Sequence, residues 1–297
     1  MNKKKKILII GSSGQLGQSI NAISKNYQDF EFIFLNRFEL DLCNQKKINE
    51  YFNNKIISII INCAAYTSVD KAEVEPELAD QINNIAVQNL AHLAEKNNIK
   101  LIHISTDYVF DGWQCHPYVE TDKLNPLCVY GMTKLRGEEN ILRTLKLNSI
   151  IIRTSWLYSE YGNNFIKTMI GLAKKVDSLN VIYDQIGTPT YAMDLAKTIM
   201  NIIQSPHFNG ASFKTDIFHY SNEGVCSWYD FAKTIFEKKD ILCLINPIES
   251  KDYPTLASRP HFSVLNKTKI KHTFNLTIPY WKDSLESCLQ KMNDVKS

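Results

Sequence analysis

The stretch Ile7-Leu8-Ile9-Ile10-Gly11-Ser12-Ser13-Gly14-Gln15-Leu16-Gly17 decides the fold. Four apolar residues run into glycines spaced G-x-x-G-x-x-G, which reads as a buried strand, a glycine turn and a helix start. Glycine allows the tight turn and the close approach of backbone to a pyrophosphate. The helix N-terminus beyond it offers unpaired N–H groups and the positive end of a dipole. Taken alone, the pattern also fits a strand–helix junction that binds nothing. At the first strand of a βαβ series it reads as a dinucleotide phosphate loop, with Gly11, Ser13 and Gly14 as cofactor-binding candidates.

The series is present. Apolar runs predict strands over Ile7–Ile10, Glu31–Leu35, Ile57–Asn62, Leu101–Ser105 and Ile150–Arg153. They are rich in Ile, Leu and Phe, as strands buried on both faces are. Helical patterns lie between them over Gln15–Asn26, Gln45–Asn53, Pro76–Asn97 and Val129–Leu147. In the third, Leu78, Ile82, Ile85, Leu90, Leu93 and Ala94 recur at helical spacing, and Pro76 suits a first turn. Such alternation predicts an α/β fold, a doubly wound parallel sheet of Rossmann type. After about residue 156 the pattern loosens. Helices are expected over Asn163–Lys174, Ala192–Gln204, Ser227–Lys238 and Trp281–Gln290. The expected division is a dinucleotide-binding domain of 1–156 with 181–210, and a smaller substrate-binding lobe of 157–180 with 211–297.

Composition narrows the class. The chain has 297 residues, 22% charged and 44% hydrophobic, with net charge +3. No nucleic-acid partner is implied by so small an excess. Lys3 to Lys6 read as a solvated end leading into the first strand, and the apolar run behind them is too short for a signal peptide. No stretch approaches a membrane span. The seven cysteines are widely spaced and without C-x-x-C, which reads as reduced thiols in a cytoplasmic protein. The histidines show no metal-ligand spacing, so each isolated His reads as structural and no metal is expected.

Two further signals carry chemistry. At the end of the second strand, where an NAD-selective site carries an acid, stands Arg37. It either pairs with a 2′-phosphate, favouring NADPH, or is a plain surface arginine. Asp41 either meets the adenine side or caps the helix beginning near Asn44. Tyr130-Gly131-Met132-Thr133-Lys134 places Tyr130 and Lys134 on one helix face. A ketone receiving hydride needs a proton, which a tyrosine hydroxyl can give. An adjacent ammonium lowers its ordinary pKa of about 10 and can also hold the nicotinamide ribose. Ser105 and Thr106 end the fourth strand, where α/β sheets bind ligands. Ala64 and Ala65, after the third, are small enough to let a cofactor lie across the sheet edge.

In order, Gly11–Gly17, Asn62–Glu73, Ser105-Thr106-Asp107-Tyr108-Val109-Phe110-Asp111-Gly112, Tyr130–Lys134, Arg153–Tyr158 and Asp184-Gln185-Ile186-Gly187-Thr188-Pro189-Thr190 resemble the dTDP-4-dehydrorhamnose reductase family. These are extended short-chain dehydrogenases, and the match continues through Tyr220–Gly224 and Arg259-Pro260. The resemblance implies that Tyr130 is the proton donor, Lys134 its partner and Thr106 the carbonyl-orienting hydroxyl. It places Asp107 and Trp156 against the nucleotide sugar, with a core-packing role for Trp156 left open. It places Gly14, Gln15, Leu16, Asp41, Leu42, Ala65, Tyr66, Thr67 and Ile104 against the cofactor. It implies NADPH, with NADH also open, a dTDP-4-dehydro sugar substrate and dTDP-L-rhamnose as product. A homodimer is left open. Some members bridge a dimer with magnesium through a glutamate where this chain has Ser19, a poor magnesium ligand, so that site is not expected. Two other readings stand beside this one. One is a reductase of another nucleotide 4-keto sugar. The other is a non-catalytic subunit similar to the β-subunit of methionine adenosyltransferase.

Overall fold

The computed structural model describes residues 4–53 and 55–294. Lys3, at the head of the expected basic end, lies outside them. Lys4 is exposed, and Lys5 already opens the first strand.

The central sheet is built from β1 (Lys5–Ile10), β2 (Phe30–Leu35), β3 (Ile59–Asn62), β4 (Lys100–Thr106), β5 (Ser149–Thr154) and β6 (Asp216–His219). Its spatial order is β6-β5-β4-β3-β1-β2 and every neighbouring pair is parallel. The main helices are α1 (Gln15–Ser24), α2 (Gln45–Asn53), α3 (Ala86–Lys96), α4 (Val129–Thr144), α5 (Ala192–Gln204), α6 (Trp228–Lys238) and α7 (Trp281–Asp294).

The two-residue period of a strand explains the double winding. Ile7, Ile9, Ile61, Ile102 and Ile152 meet α1 and α5 through Ile20 and Ile199. Leu8, Ile10, Ile60, Leu101 and Ile151 point the other way and meet α2, α3 and α4 through Ile48, Leu90 and Ile141. Each full burial of this kind contributes roughly 1.5–3 kcal/mol. The expected α/β class with a parallel sheet is the observed one.

Several boundaries differ from expectation. The helix expected over Pro76–Asn97 is Pro76–Asp80, a wide π turn at Gln81–Ile85, then α3. A short helix, Val69–Val74, precedes it. Strand β6 falls within the 211–297 stretch assigned to the smaller lobe, yet it pairs with β5 in the main sheet. Ser178–Ile182, a strand that straddles the expected boundary at 181, pairs in parallel with Leu244–Ile248 of the smaller lobe. α6 is started by a capping box in which Ser227 and Asp230 bond each other's backbone N–H. No helix among the described residues is long and apolar enough to cross a membrane.

The chain leaves β1 for β2 on one side and then crosses to β3 on the other. That reversal opens a crevice at the carboxyl ends of β1 and β3, where open α/β sheets bind ligands.

Candidate active site

Gly11 follows β1 at φ +80°, a left-handed conformation that suits glycine. A Cβ here would lie 2.7 Å from the Ala64 nitrogen, so only glycine lets the β1 turn close onto the β3 loop. Gly11 and Ser12 both donate to the Leu35 carbonyl, at 3.0 and 3.1 Å, which pins the turn to β2. α1 then starts at Gly14 with no side-chain cap and no acid in its first turn. An uncapped helix start of this kind suits an anion.

Gly11, Ser13, Gly14, Arg37, Asp41, Leu42, Ala64, Ala65, Tyr66 and Thr67 line one end of the crevice. Gln15, Leu16, Ile104, Thr106, Asp107, Tyr130, Lys134 and Trp156 line the other, a cavity of about 530 Å³. The two ends share Gly14, Cys63, Ala65 and Thr67, so every sequence-predicted site residue borders one continuous cleft.

Two of these side chains also bond within the protein. Asp41 accepts from the Cys43 N–H at 3.0 Å and does not cap α2; Asn44 does, accepting from Lys47 at 3.0 Å. The Gln15 amide ties α1 to the smaller lobe: it donates to the Leu157 carbonyl at 3.2 Å and accepts from Asn164 at 3.0 Å. Ser19 is buried and donates to the Gln15 carbonyl at 2.9 Å within its own helix. Among the described residues, no cluster of three or more His, Cys, Asp and Glu side chains is placed to hold a metal ion.

At the chemical end, the Tyr130 phenol is buried and its ring meets Tyr108 edge-on at 5.5 Å. Burial raises its pKa above the ordinary value, and hydrogen bonding with Thr106 offsets part of that rise. The expected lowering by Lys134 is absent from this arrangement. Among the described residues no hydrogen bond joins the two side chains. The Lys134 Nζ donates to the Ile104 carbonyl at 2.7 Å and lies 3.3 Å from His103 Nε2. Burial of the ammonium lowers Lys134 to about 8, against the pull of Glu138 and Cys63. The Thr106 hydroxyl donates to Asp107 Oδ1 at 3.1 Å. Asp107 is buried, which pushes its carboxyl up to about 6, and Oδ2 has no partner among the described residues.

Trp156 sits in the left-handed region at φ +47°, uncommon for a bulky residue. Its indole stacks on Trp228 with centroids 3.6 Å apart and planes 10° from parallel. Gly187 leaves room for the indole: a Cβ there would come within 2.7 Å of the ring. Trp228 lines the same cleft. It escaped sequence analysis because it lies 72 residues beyond Trp156 and carries no local motif. The same holds for Asn83 in the π turn. It brackets Tyr66, accepting from its N–H at 2.9 Å and donating to its carbonyl at 3.1 Å, and donates to Thr133 of α4 at 3.2 Å.

Comparison with known proteins fits this architecture. The family described as the RmlD substrate binding domain matches residues 5–294. A dTDP-4-dehydrorhamnose reductase of Aggregatibacter actinomycetemcomitans is 43% identical, over 95% of this chain and 97% of that protein. The chain belongs to the dTDP-4-dehydrorhamnose reductase family. Among solved members, the Clostridium acetobutylicum reductase superposes with a TM-score of 0.90 at 39% identity, covering 97% of this chain and 99% of that one. The Bacillus anthracis reductase, solved in complex with NADP, superposes with a TM-score of 0.91 at 35% identity, covering 97% and 100%. Family members thus share the whole length of this fold, smaller lobe included.

Proposed function

We propose that the protein reduces the C4 ketone of dTDP-4-dehydro-6-deoxy-L-mannose with NADPH to give dTDP-L-rhamnose. The observation that carries this reading is one cleft joining a glycine phosphate loop to Thr106, Tyr130 and Lys134 at the carboxyl end of a parallel sheet. The loop fits the cofactor, because Gly11 lets the turn close tightly and the start of α1 has no side-chain cap for its first backbone N–H groups, which suits a pyrophosphate. Arg37, exposed at the rim of the cleft beyond β2, is assigned the 2′-phosphate in this reading. Bound there, NADPH supplies the hydride.

The chain's own residues handle the proton and the orientation. Thr106 turns its hydroxyl from Asp107 to the substrate carbonyl. Tyr130 donates its proton to the carbonyl oxygen, and burial keeps it in the phenol form that can do so. Lys134 holds the nicotinamide ribose and, when protonated, stabilises the phenolate left behind. Asp107 accepts from a sugar hydroxyl, and Trp156 forms the wall against the sugar ring. The division into a dinucleotide-binding domain and a substrate lobe is part of this proposal, with β6 counted in the sheet.

Tyr130→Phe removes one hydroxyl and little volume. The variant should fold and bind NADPH normally, while turnover on dTDP-4-dehydrorhamnose falls by about 10²–10⁴-fold. Turnover within a few-fold of wild type would mean that the proton comes from elsewhere. A wild-type protein that binds NADPH but reduces no nucleotide 4-keto sugar would favour a non-catalytic subunit.

A further inference from the structure

Behind Lys134 lies a buried chain of hydrogen bonds whose directions can be worked out one by one. The Ala64 N–H donates to Asn62 Oδ1 at 3.1 Å, which fixes the Asn62 amide. Asn62 Nδ2, a donor only, then faces His103 Nδ1 at 3.1 Å. Nδ1 must therefore accept, and the imidazole carries its hydrogen on Nε2. Nε2 faces Lys134 Nζ at 3.3 Å. An ammonium has three donors and no lone pair, so it would oppose the Nε2–H. A neutral amine satisfies every contact: it accepts from Nε2–H and donates to the Ile104 carbonyl at 2.7 Å.

We propose that the buried pair Asn62–His103 is a positioning device that presents an N–H to Lys134 and so favours the neutral amine in the cofactor-free protein. The inference rests on the function proposed above only in giving Lys134 work to do. Asn62, His103 and Lys134 are each about 1% exposed or less, so water does not relieve the opposition. Other groups facing Lys134 do not cancel it. Cys63, at the end of β3, has its thiol pushed up to about 12 by burial and stays uncharged. Glu138, on Lys134's own helix, is held in a buried ion pair with Arg153 at 2.7 Å. Burial, and the charge of Lys134 when protonated, hold His103 well below its ordinary value, so it remains neutral. Burial acts in the same direction, lowering Lys134 to about 8 on its own account.

The consequence is a lysine that takes up or releases a proton close to working pH. Loss of the ammonium removes support from the Tyr130 phenolate and from the cofactor's negative charge, so activity and NADPH affinity should both fall on the alkaline side. Asn62→Asp tests the device. Aspartate keeps an acceptor for Ala64 but offers an acceptor, not a donor, to Nδ1. The His103 hydrogen should move to Nδ1, turning Nε2 into an acceptor for the ammonium.

Nitrogen-15 NMR of the imidazole at pH 9 should show the Nε2–H tautomer in the wild type and Nδ1–H in Asn62→Asp. NADPH affinity, followed by its fluorescence across pH 6–10, should lose its alkaline fall in the variant, or show it displaced upward by about one pH unit. The alkaline limb of kcat/KM should move with it. An Nδ1–H tautomer in the wild type, or an NADPH-binding profile that Asn62→Asp leaves in place, overturns the proposal. Tautomer and binding need no substrate, so a failure to turn over any 4-keto sugar sinks the proposed reaction while these readouts still decide on His103.

Discussion

Asp107 shows how a site residue opposes the stability of the fold that holds it. Its carboxyl is buried and pushed up to about 6 from an ordinary 3.8. The folded chain thus binds this proton more tightly than the unfolded chain. Its contribution to stability is most favourable below the ordinary value and is lost as pH rises through about 6. Asp107→Asn should therefore raise the melting temperature at pH 8 relative to wild type and leave it nearly unchanged at pH 4. The same variant should raise KM for the sugar nucleotide by roughly tenfold, the cost of one charged hydrogen bond. A melting temperature at pH 8 no higher than wild type would count against the burial argument. Arg37 gives a second prediction. It is exposed and has no ion-pair partner among the described residues, so it is free for a phosphate. Arg37→Ala should weaken NADPH by about tenfold or more and NADH by little; equal losses in titrations of both cofactors would remove it from 2′-phosphate recognition. At this scale the sequence was readable where chemistry is local. The glycine loop and the Tyr130/Lys134 spacing are motifs within one turn or one helix face. Asn62 and His103 were not readable, because their roles arise from contacts 41 and 31 residues apart across β3, β4 and α4.

Among the elements, α4 carries Tyr130 and Lys134, so its first turn sets their aim. That turn has no acid of its own. Instead Glu73, on the short helix Val69–Val74, reaches across and accepts from the Val129 N–H at 2.8 Å. A carboxylate there satisfies a free donor and complements the helix dipole. Glu73→Ala should cost about 1 kcal/mol of stability in denaturant unfolding and lower kcat more than it changes NADPH affinity. Wild-type kcat in this variant would show that Tyr130 is aimed by packing alone. The first five strands of the sheet were legible as apolar runs because burial on both faces forces them to be continuous. β6 was not: Asp216-Ile217-Phe218-His219 is a short edge strand whose two apolar residues lie between polar ends. The π turn at Gln81–Ile85 was hidden too, since one extra residue in a turn leaves the helical spacing on either side almost unaltered.

Over the whole molecule, the cleft is bounded by segments far apart in the chain, and one ion pair fastens them. Arg259 donates to both carboxylate oxygens of Asp70, at 2.7 and 3.2 Å, across 189 residues. Ala257, two residues before it, donates to the same carboxylate at 3.2 Å and packs in one cluster with Cys128 and Tyr130. The pair therefore closes the 257–259 segment onto the wall that holds the proposed proton donor. The bond from Arg259 lowers the Asp70 pKa, so the clasp is made above the ordinary carboxylate value and is lost only as pH falls through the depressed one. Asp70 is partly exposed, and such pairs contribute little to global stability. The effect should appear instead in the sugar site. Arg259→Ala is expected to raise KM for dTDP-4-dehydrorhamnose several-fold, because the 257–259 segment loses its anchor. NADPH affinity, set by the glycine loop on the far side of the cleft, should stay within about threefold, and the melting temperature should move little. Amide exchange should quicken in residues 255–262 and stay unchanged in β1 and α1. Equal losses for cofactor and sugar would mean that the clasp holds the entire crevice. An unchanged KM with rapid exchange at 255–262 would mean that this segment closes over nothing the substrate needs.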